Sequence, residues 1–326
     1  MRVIEGLTSD ERAQVDEQGY VLLRGFADLT LCAAMLDRVI EVARARAAGA
    51  SVLDGPGLTG FVLPEANLTS GDADADADAD PGARKAPAPE DVVSKVFGLH
   101  RDDTFGGFAA SPKVTALFVD LIGPSVDCFL SQFIFKNPGA WGQPWHQDSY
   151  YFPFDPPRPI YGISLAVTEG VPENGGLHVI PGSHREPVHT HVPDRRPGAN
   201  YGYVEVADRD MSAAEPMVMA PGDVLLFDSH LIHRSGDNTT DRRRAAMTYH
   251  FAATGTVDLG HGPVVEFDPG GRGASDLSFA AAHVSLGALG GLGVEGSGAH
   301  GPDETVDLAS LVKSAERAAL LIHRLR

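Results

Sequence analysis

The sequence has little cysteine, little positive charge and no long apolar run. Cys32 and Cys128 are the only two cysteines among 326 residues, and they stand far apart. No disulfide framework is expected, and no CxxC pair exists for zinc or redox chemistry. Lysine and arginine total 26 against 44 aspartate and glutamate, a formal charge of −18. Nucleic acid and anionic membrane both require a basic face, so neither is an expected partner. No stretch approaches the roughly 18 uncharged apolar residues that cross a bilayer. Residues 1–11 contain no apolar segment of a secretory leader. The expectation is a soluble protein of the reduced cytoplasm.

What is present suits a globular protein. Hydrophobic residues make up 43% and charged residues 21%, which allows a sizeable core. Thr8 or Ser9 caps a short helix with Asp10 and Glu11 in its first turn. Residues 19–26 read as a strand closed by glycine, and 29–48 as a helix ended by Gly49. Residues 72–80 alternate Asp and Ala, and Pro81, Pro87 and Pro89 follow. Such a segment cannot bury enough apolar surface to offset its ordering entropy, so a disordered acidic insertion is expected at 71–87. It lacks the glycine turn and closing glutamate of a calcium-binding EF-hand loop. Residues 111–122 read as a helix stopped by Gly123 and Pro124.

From 91 to 255 short apolar runs alternate with Gly and Pro punctuation, at 128–135, 162–167, 176–180, 224–227 and 245–251. That rhythm predicts an antiparallel sandwich or barrel rather than βαβ units. Residues 268–303 are glycine-rich, and 305–325 carry apolar residues at helical spacing. The expected organisation is a single domain over 1–260. A glycine-rich extension and a C-terminal amphipathic helix over 261–326 pack on it.

Thirteen histidines make any single one uninformative; their setting carries the signal. One cluster runs from Pro144 through His146, Gln147 and Asp148 to Phe154. On an extended segment, His146 and Asp148 point to one face. One imidazole and one carboxylate make two thirds of the facial triad that holds non-haem Fe(II), with a distant histidine as the third member. The spacing alone is too common to decide a metal site. A second cluster starts at the turn Pro221-Gly222-Asp223 and continues as an apolar strand to His230 and His233. Arg242, Arg243 and Arg244 then lead into the strand 245–251. A buried dicarboxylate needs a cationic anchor for its far carboxylate, and the planar guanidinium fork suits it.

Four stretches carry a family likeness: His146-Gln-Asp-Ser-Tyr-Tyr-Phe-Pro-Phe154, Glu173-Asn-Gly-Gly-Leu-His-Val-Ile-Pro-Gly-Ser-His184, Pro221-Gly-Asp-Val-Leu-Leu-Phe227 and Ile232-His-Arg-Ser-Gly-Asp-Asn238. Arg244, His250 and Phe251 follow, and the stretch Val93 to His100 also fits. Together they resemble the phytanoyl-CoA dioxygenase family of Fe(II)/2-oxoglutarate oxygenases, over residues 15 to 255. The resemblance implies a mainly β chain with a double-stranded β-helix (jelly-roll, cupin-like) core and flanking helices. It implies iron held by His146, Asp148 and His233, which form the catalytic centre. His233 is chosen over His230 because the family pattern His-x-Ser-x-x-Asn starts there. It also implies that Arg244 and Ser235 hold 2-oxoglutarate, with Lys95 and Gln132 near it.

The implied reaction uses O2 to hydroxylate an unactivated C–H bond, releasing succinate and CO2. A carboxylate ligand at Asp148 favours this over halogenation. The implied substrate is a small, largely apolar molecule, either a natural product or an acyl thioester whose phosphates Arg185, Arg195 and Arg196 would meet. No protein partner is expected. The alternatives are a non-catalytic metal-binding jelly roll and an iron oxygenase that does not use 2-oxoglutarate. His178, His184 and His230 read as structural or surface residues, and Arg242 and Arg243 as a solvated turn. Tyr150, Tyr151, Phe152 and Phe154 either pack beneath the metal loop or wall an apolar substrate site.

Deleting residues 71–82 should leave the fold intact, because the Asp-Ala tract has too few apolar groups to contribute to a core. Thermal unfolding of the deletion variant checks this, and a large drop in Tm would contradict it.

Overall fold

Thr8 shows how local chemistry begins the fold. Its hydroxyl accepts from the Glu11 N–H at 3.2 Å and the Glu11 carboxylate accepts from the Thr8 N–H at 2.8 Å, a reciprocal capping box. This starts α1 (Ser9–Gln18), and Gly19, at φ 82°, ends it. The structure, a computed structural model, describes residues 6–50, 53, 61–69, 87–152, 159–196 and 203–253, with two short strands at 296–297 and 305–306. α2 (Leu29–Ala47) is capped by Asp28 and buries Cys32, Met35, Val39 and Val42, one stripe at helical spacing. Three shorter helices follow: α3 (Ala66–Thr69), α4 (Asp103–Ala109) and α5 (Pro112–Val119).

The strands are β1 (Tyr20–Leu23), β2 (Val62–Pro64), β3 (Val93–Phe97), β4 (Val126–Lys136), β5 (Tyr161–Ala166), β6 (Leu177–Val179) and β7 (His191–Pro193). They continue as β8 (Val204–Val206), β9 (Glu215–Pro216), β10 (Val224–Asp228), β11 (His233–Ser235), β12 (Arg244–Ala253), β13 (Gly296–Ser297) and β14 (Thr305–Val306). Seven form the major sheet in the order β1-β10-β5-β12-β4-β3-β2, and β11-β6-β9 form a minor sheet. Strands β7 and β8 make a separate pair, as do β13 and β14. Each pairing is antiparallel. This is the jelly-roll core with flanking helices expected from the sequence.

Side-chain alternation divides the major sheet into two faces. Phe133 and Phe135 of β4, with Met247, Tyr249 and Phe251 of β12, join the core that also contains Met35, Phe105 and Phe118 of the helices. The Tyr249 hydroxyl donates to the Phe105 carbonyl at 2.9 Å, and Phe118 stacks on Phe251 with centroids 4.0 Å apart. The opposite face carries Gln132, Ile134 and Lys136 of β4 and Arg244, Thr248 and His250 of β12, all lining a cavity. Val179 of the minor sheet packs there with Leu225 and Phe227 of β10.

The structure refines several expectations. The helix read at 111–122 is the shorter α5, and α4 just before it carries no strong periodic signal. Arg243 is not in a solvated turn. It donates to Asn137 Oδ1 at 2.6 Å, pairs with Asp91 and lies over the Phe135 ring. Arg242 is exposed as expected, 3.6 Å from Glu169. Thr305 and Val306, at the start of the expected amphipathic helix, instead pair as a strand with Gly296 and Ser297. The remainder of that helix, most of the glycine-rich extension and the Asp-Ala tract lie outside the described residues, as does Phe154. Among the described residues no helix is long and apolar enough to cross a membrane.

Phe133 is fully buried and meets Phe105 and Phe135. Truncating it to alanine should cost about 3–5 kcal/mol. Chemical denaturation should show this as a lower midpoint with little change in slope.

Candidate active site

The site is assembled by joining two distant segments through their backbones. His146 N–H donates to the His233 carbonyl at 2.9 Å, and His233 N–H donates to the His146 carbonyl at 3.0 Å. This reciprocal bridge fixes the two residues directly opposite each other. Gln147 is extended, at φ −114° and ψ 130°, so Asp148 presents its carboxylate on the same side as His146. Gln147 is itself buried and braces the loop. Its amide donates to the His230 carbonyl at 2.9 Å and accepts from His189 N–H at 2.8 Å. Ser149 adds a second brace, its hydroxyl 2.7 Å from that of Ser229.

Donor atoms of His146, Asp148 and His233 lie within 4.8 Å of one another. Asp148 Oδ1 is 3.4 Å from His146 Nε2 and 3.8 Å from His233 Nε2. Both rings donate from Nδ1 to a backbone carbonyl two residues earlier, Pro144 at 2.8 Å and Leu231 at 2.9 Å. That leaves each Nε2 lone pair facing the carboxylate, the tautomer a metal ligand requires. Burial pushes His233 down to about 4, and His146 beside it acts in the same direction. The His233 ring is therefore neutral near pH 7. Burial alone would raise the Asp148 carboxyl, but the imidazoles around it, His233 and His250 foremost, hold it well below the usual carboxylate range. Two imidazoles and a carboxylate on one face fit a first-row divalent ion of the Fe(II) type.

Arg244 opens β12 and is 2% exposed. Burial pushes it down to about 10, so it stays charged at neutral pH. Its Nε has no hydrogen-bond partner and no acidic side chain pairs with it among the described residues. Burying an unpaired cation is costly, and a carboxylate entering the cavity would relieve that cost. Ser235, Gln132 and Lys95 line the same cavity. The Ser235 hydroxyl accepts from Gln143 N–H at 2.9 Å, and Gln132 sits opposite Thr248 across the sheet. Lys95 is 6% exposed, and its amine donates to Gln143 Oε1 at 2.9 Å. The cavity thus brings together the three implied metal ligands and Arg244, Ser235, Lys95 and Gln132.

Other residues of the cavity were not picked out by sequence reasoning. Lys136, opposite Arg244 in the β4–β12 register, is 1% exposed and donates to the Trp141 carbonyl. Burial lowers its amine, and Lys95 and Arg244 push the same way. Burial pulls the Tyr203 phenol up, but Lys95 and Lys136 outweigh this and bring it down. Gln143 Nε2 lies 3.0 Å from His146 Nε2. No spacing pattern marks these residues, because they meet only across strands and loops distant in sequence.

The remaining histidines fall outside the triad. His230 is 38% exposed at its side chain and its Nδ1 contacts the Ser149 hydroxyl at 3.0 Å. His178 lies in β6, and His184 packs against Gly19. Tyr151 and Phe152 line the cavity, whereas Tyr150 is 41% exposed and stacks on His191 at 4.3 Å.

The sequence profile of the phytanoyl-CoA dioxygenase (PhyH) family matches residues 15–246. The peroxisomal phytanoyl-CoA dioxygenase of Bos taurus is 32% identical over 169 residues, 50% of each chain. The chain spans about half the length of the mammalian phytanoyl-CoA dioxygenases it matches. The phytanoyl-CoA dioxygenase domain-containing protein 1 of Mus musculus is 27% identical over 77% of this chain and 92% of its own. Among solved structures, EctD from S. alaskensis with bound Fe has a TM-score of 0.56 at 20% identity, covering 89% of this chain and 88% of its own. EvdO2 from Micromonospora carbonacea var. aurantiaca, complexed with 2-oxoglutarate, has a TM-score of 0.53 at 22% identity, covering 78% and 94%.

His233→Ala should abolish stoichiometric Fe(II) binding, while His230→Ala should leave it near the wild-type level. Anaerobic iron titration of both variants checks the choice; the reverse result would mean that His230 is the ligand.

Proposed function

The chain belongs to the phytanoyl-CoA dioxygenase family, and from that premise we propose that it is an Fe(II)- and 2-oxoglutarate-dependent dioxygenase that hydroxylates an unactivated C–H bond of a small, largely apolar molecule. The observation that carries this reading is the buried Arg244, a cation with no acidic partner among the described residues, in the same cavity as the His146, Asp148 and His233 cluster. A dicarboxylate that reaches both is the ligand this arrangement fits. Bound there, iron and 2-oxoglutarate supply O2 activation, with succinate and CO2 as co-products.

The chain's own residues account for the rest. His146, Asp148 and His233 hold the metal. Arg244 takes the far carboxylate of the cosubstrate through its fork of donors, and Ser235 and Gln132 line its bed. Lys95, held by Gln143 Oε1 and lying over the Tyr203 ring, lines the cavity near the cosubstrate. Phe97, Leu130, Tyr151 and Phe152 form an apolar wall that excludes water and suits an apolar substrate. Arg185 and Arg196 are engaged elsewhere: Arg185 donates to the Asp16 carbonyl at 2.6 Å and Arg196 pairs with Asp194 at 2.7 Å. Arg195, the third arginine considered for a thioester's phosphates, is exposed, so a natural product and an acyl thioester both fit the described residues. Structural neighbours with bound Fe and with 2-oxoglutarate support the cofactor assignment.

The test is an anaerobic titration of Fe(II) and 2-oxoglutarate that follows the visible metal-to-ligand charge-transfer band. Wild type should develop the band, and Arg244→Ala should need about 10- to 100-fold more 2-oxoglutarate, as expected for losing a charged hydrogen-bond pair. Bound iron without a band would overturn the 2-oxoglutarate assignment. Succinate release across natural-product and acyl-CoA panels then identifies the substrate.

A further inference from the structure

His250 is almost completely enclosed beside the metal cluster. It is 1% exposed on β12, opposite Leu130 of β4 and Gly162 of β5. Its Nε2 donates to Asp148 Oδ2 at 2.7 Å, and its Nδ1 has no hydrogen-bond partner among the described residues. Three aromatic rings surround it: Phe152 with centroids 5.2 Å apart, Phe129 at 6.1 Å and Phe227 at 6.1 Å. Gly162 makes this packing possible, since a Cβ there would sit 2.4 Å from Phe227 Cζ. Phe227 also lies 5.3 Å from the His233 ring, so one phenyl group wedges both histidines.

Asp148 therefore has two unequal oxygens. Oδ1 faces His146 and His233, while Oδ2 is turned away and held by His250. We propose that His250 is a positioning residue that holds Asp148 as a one-oxygen ligand and so keeps the neighbouring coordination position open for cosubstrate or oxygen. This rests on the metal assignment above. Freed from His250, the carboxylate can rotate and offer both oxygens, closing that position. A ring otherwise enclosed by phenyl groups, with half its hydrogen-bonding capacity unmet, is a poor choice for packing alone. Its single hydrogen bond is directed at the one acidic member of the cluster. Partners that orient ligating groups in this way typically change metal affinity by about 10- to 100-fold when removed.

Two variants separate the donor from the ring. His250→Phe keeps a buried ring and removes the donor, whereas His250→Gln keeps an N–H donor at similar reach. His250→Phe should weaken Fe(II) binding by about 10- to 100-fold and shift the anaerobic charge-transfer band, with Tm close to wild type. His250→Gln should recover most of the affinity and the band position. If the phenylalanine variant does not fold, His250→Met replaces it in the same comparison. Wild-type affinity and band in the folded donor-free variant would overturn the proposal, as would a glutamine variant as impaired as that variant. A wild-type chain that takes up no iron would overturn the metal assignment itself, and this proposal with it.

Discussion

Between His146 and His233 the backbone exchanges two hydrogen bonds, at 2.9 and 3.0 Å. His233 belongs to the minor sheet and His146 to the loop that follows the longest strand of the major sheet, so this exchange joins the two layers at one point. Side-chain direction then follows from the backbone alone. Paired residues of an antiparallel bridge project to the same side, and each ring is locked by its own Nδ1–H to a carbonyl two residues earlier. Gln147 and Ser149 anchor the intervening loop to residues 229–230, so Asp148 cannot drift from the two imidazoles. Main-chain geometry thus brings the His146, Asp148 and His233 cluster together, and the Asp148 carboxylate is further oriented by His250.

An acidic chain has folded around a cationic interior. The formal charge is −18, yet Lys95, Lys136 and Arg244 line one buried cavity whose acidic metal-side group is Asp148. Strand alternation produces this contrast. The pleat that sends Phe133, Met247 and Tyr249 into the helix-covered core sends Gln132, Lys136, Arg244, Thr248 and His250 to the opposite face. A cation placed there loses hydration, and a dianionic ligand restores a partner. That charge is buried before any ligand arrives, which is the feature on which the proposed cosubstrate reading rests.

The glycine-rich stretch from Glu173 has a role that its chemistry does not advertise. Asn174 accepts from Val171 N–H and donates to the Glu169 carbonyl, both at 2.9 Å. Gly175, at φ 86°, lies against the Lys136 side chain, where a Cβ would come within 3.2 Å of Lys136 Cγ. The loop thus covers the cationic end of the cavity, and its glycine lets the backbone approach the lysine stem. A family mark read from sequence is here a close backbone packing against a buried lysine.

The sequence by itself determined the antiparallel character, the positions of β1, β4, β5, β6, β10 and β12 within a few residues, the capped first helix and the two blocks that supply the cluster. Those features are local: period-two patterning, glycine turns and capping pairs act within a few residues of chain. Between His230 and His233 only the family likeness could choose, since their chemistry is identical. The tertiary structure places His233 on the strand that pairs with His146 and leaves His230 partly exposed in the turn before it. It also decided that Lys136, Tyr203, Gln143 and His250 share the cavity, that Arg243 is anchored to Asp91, and that Arg185 and Arg196 are engaged elsewhere. These facts depend on strand register and on which loop crosses which sheet, contacts between residues far apart in the chain. No pattern within one segment encodes them; they exist only once the two sheets close on each other.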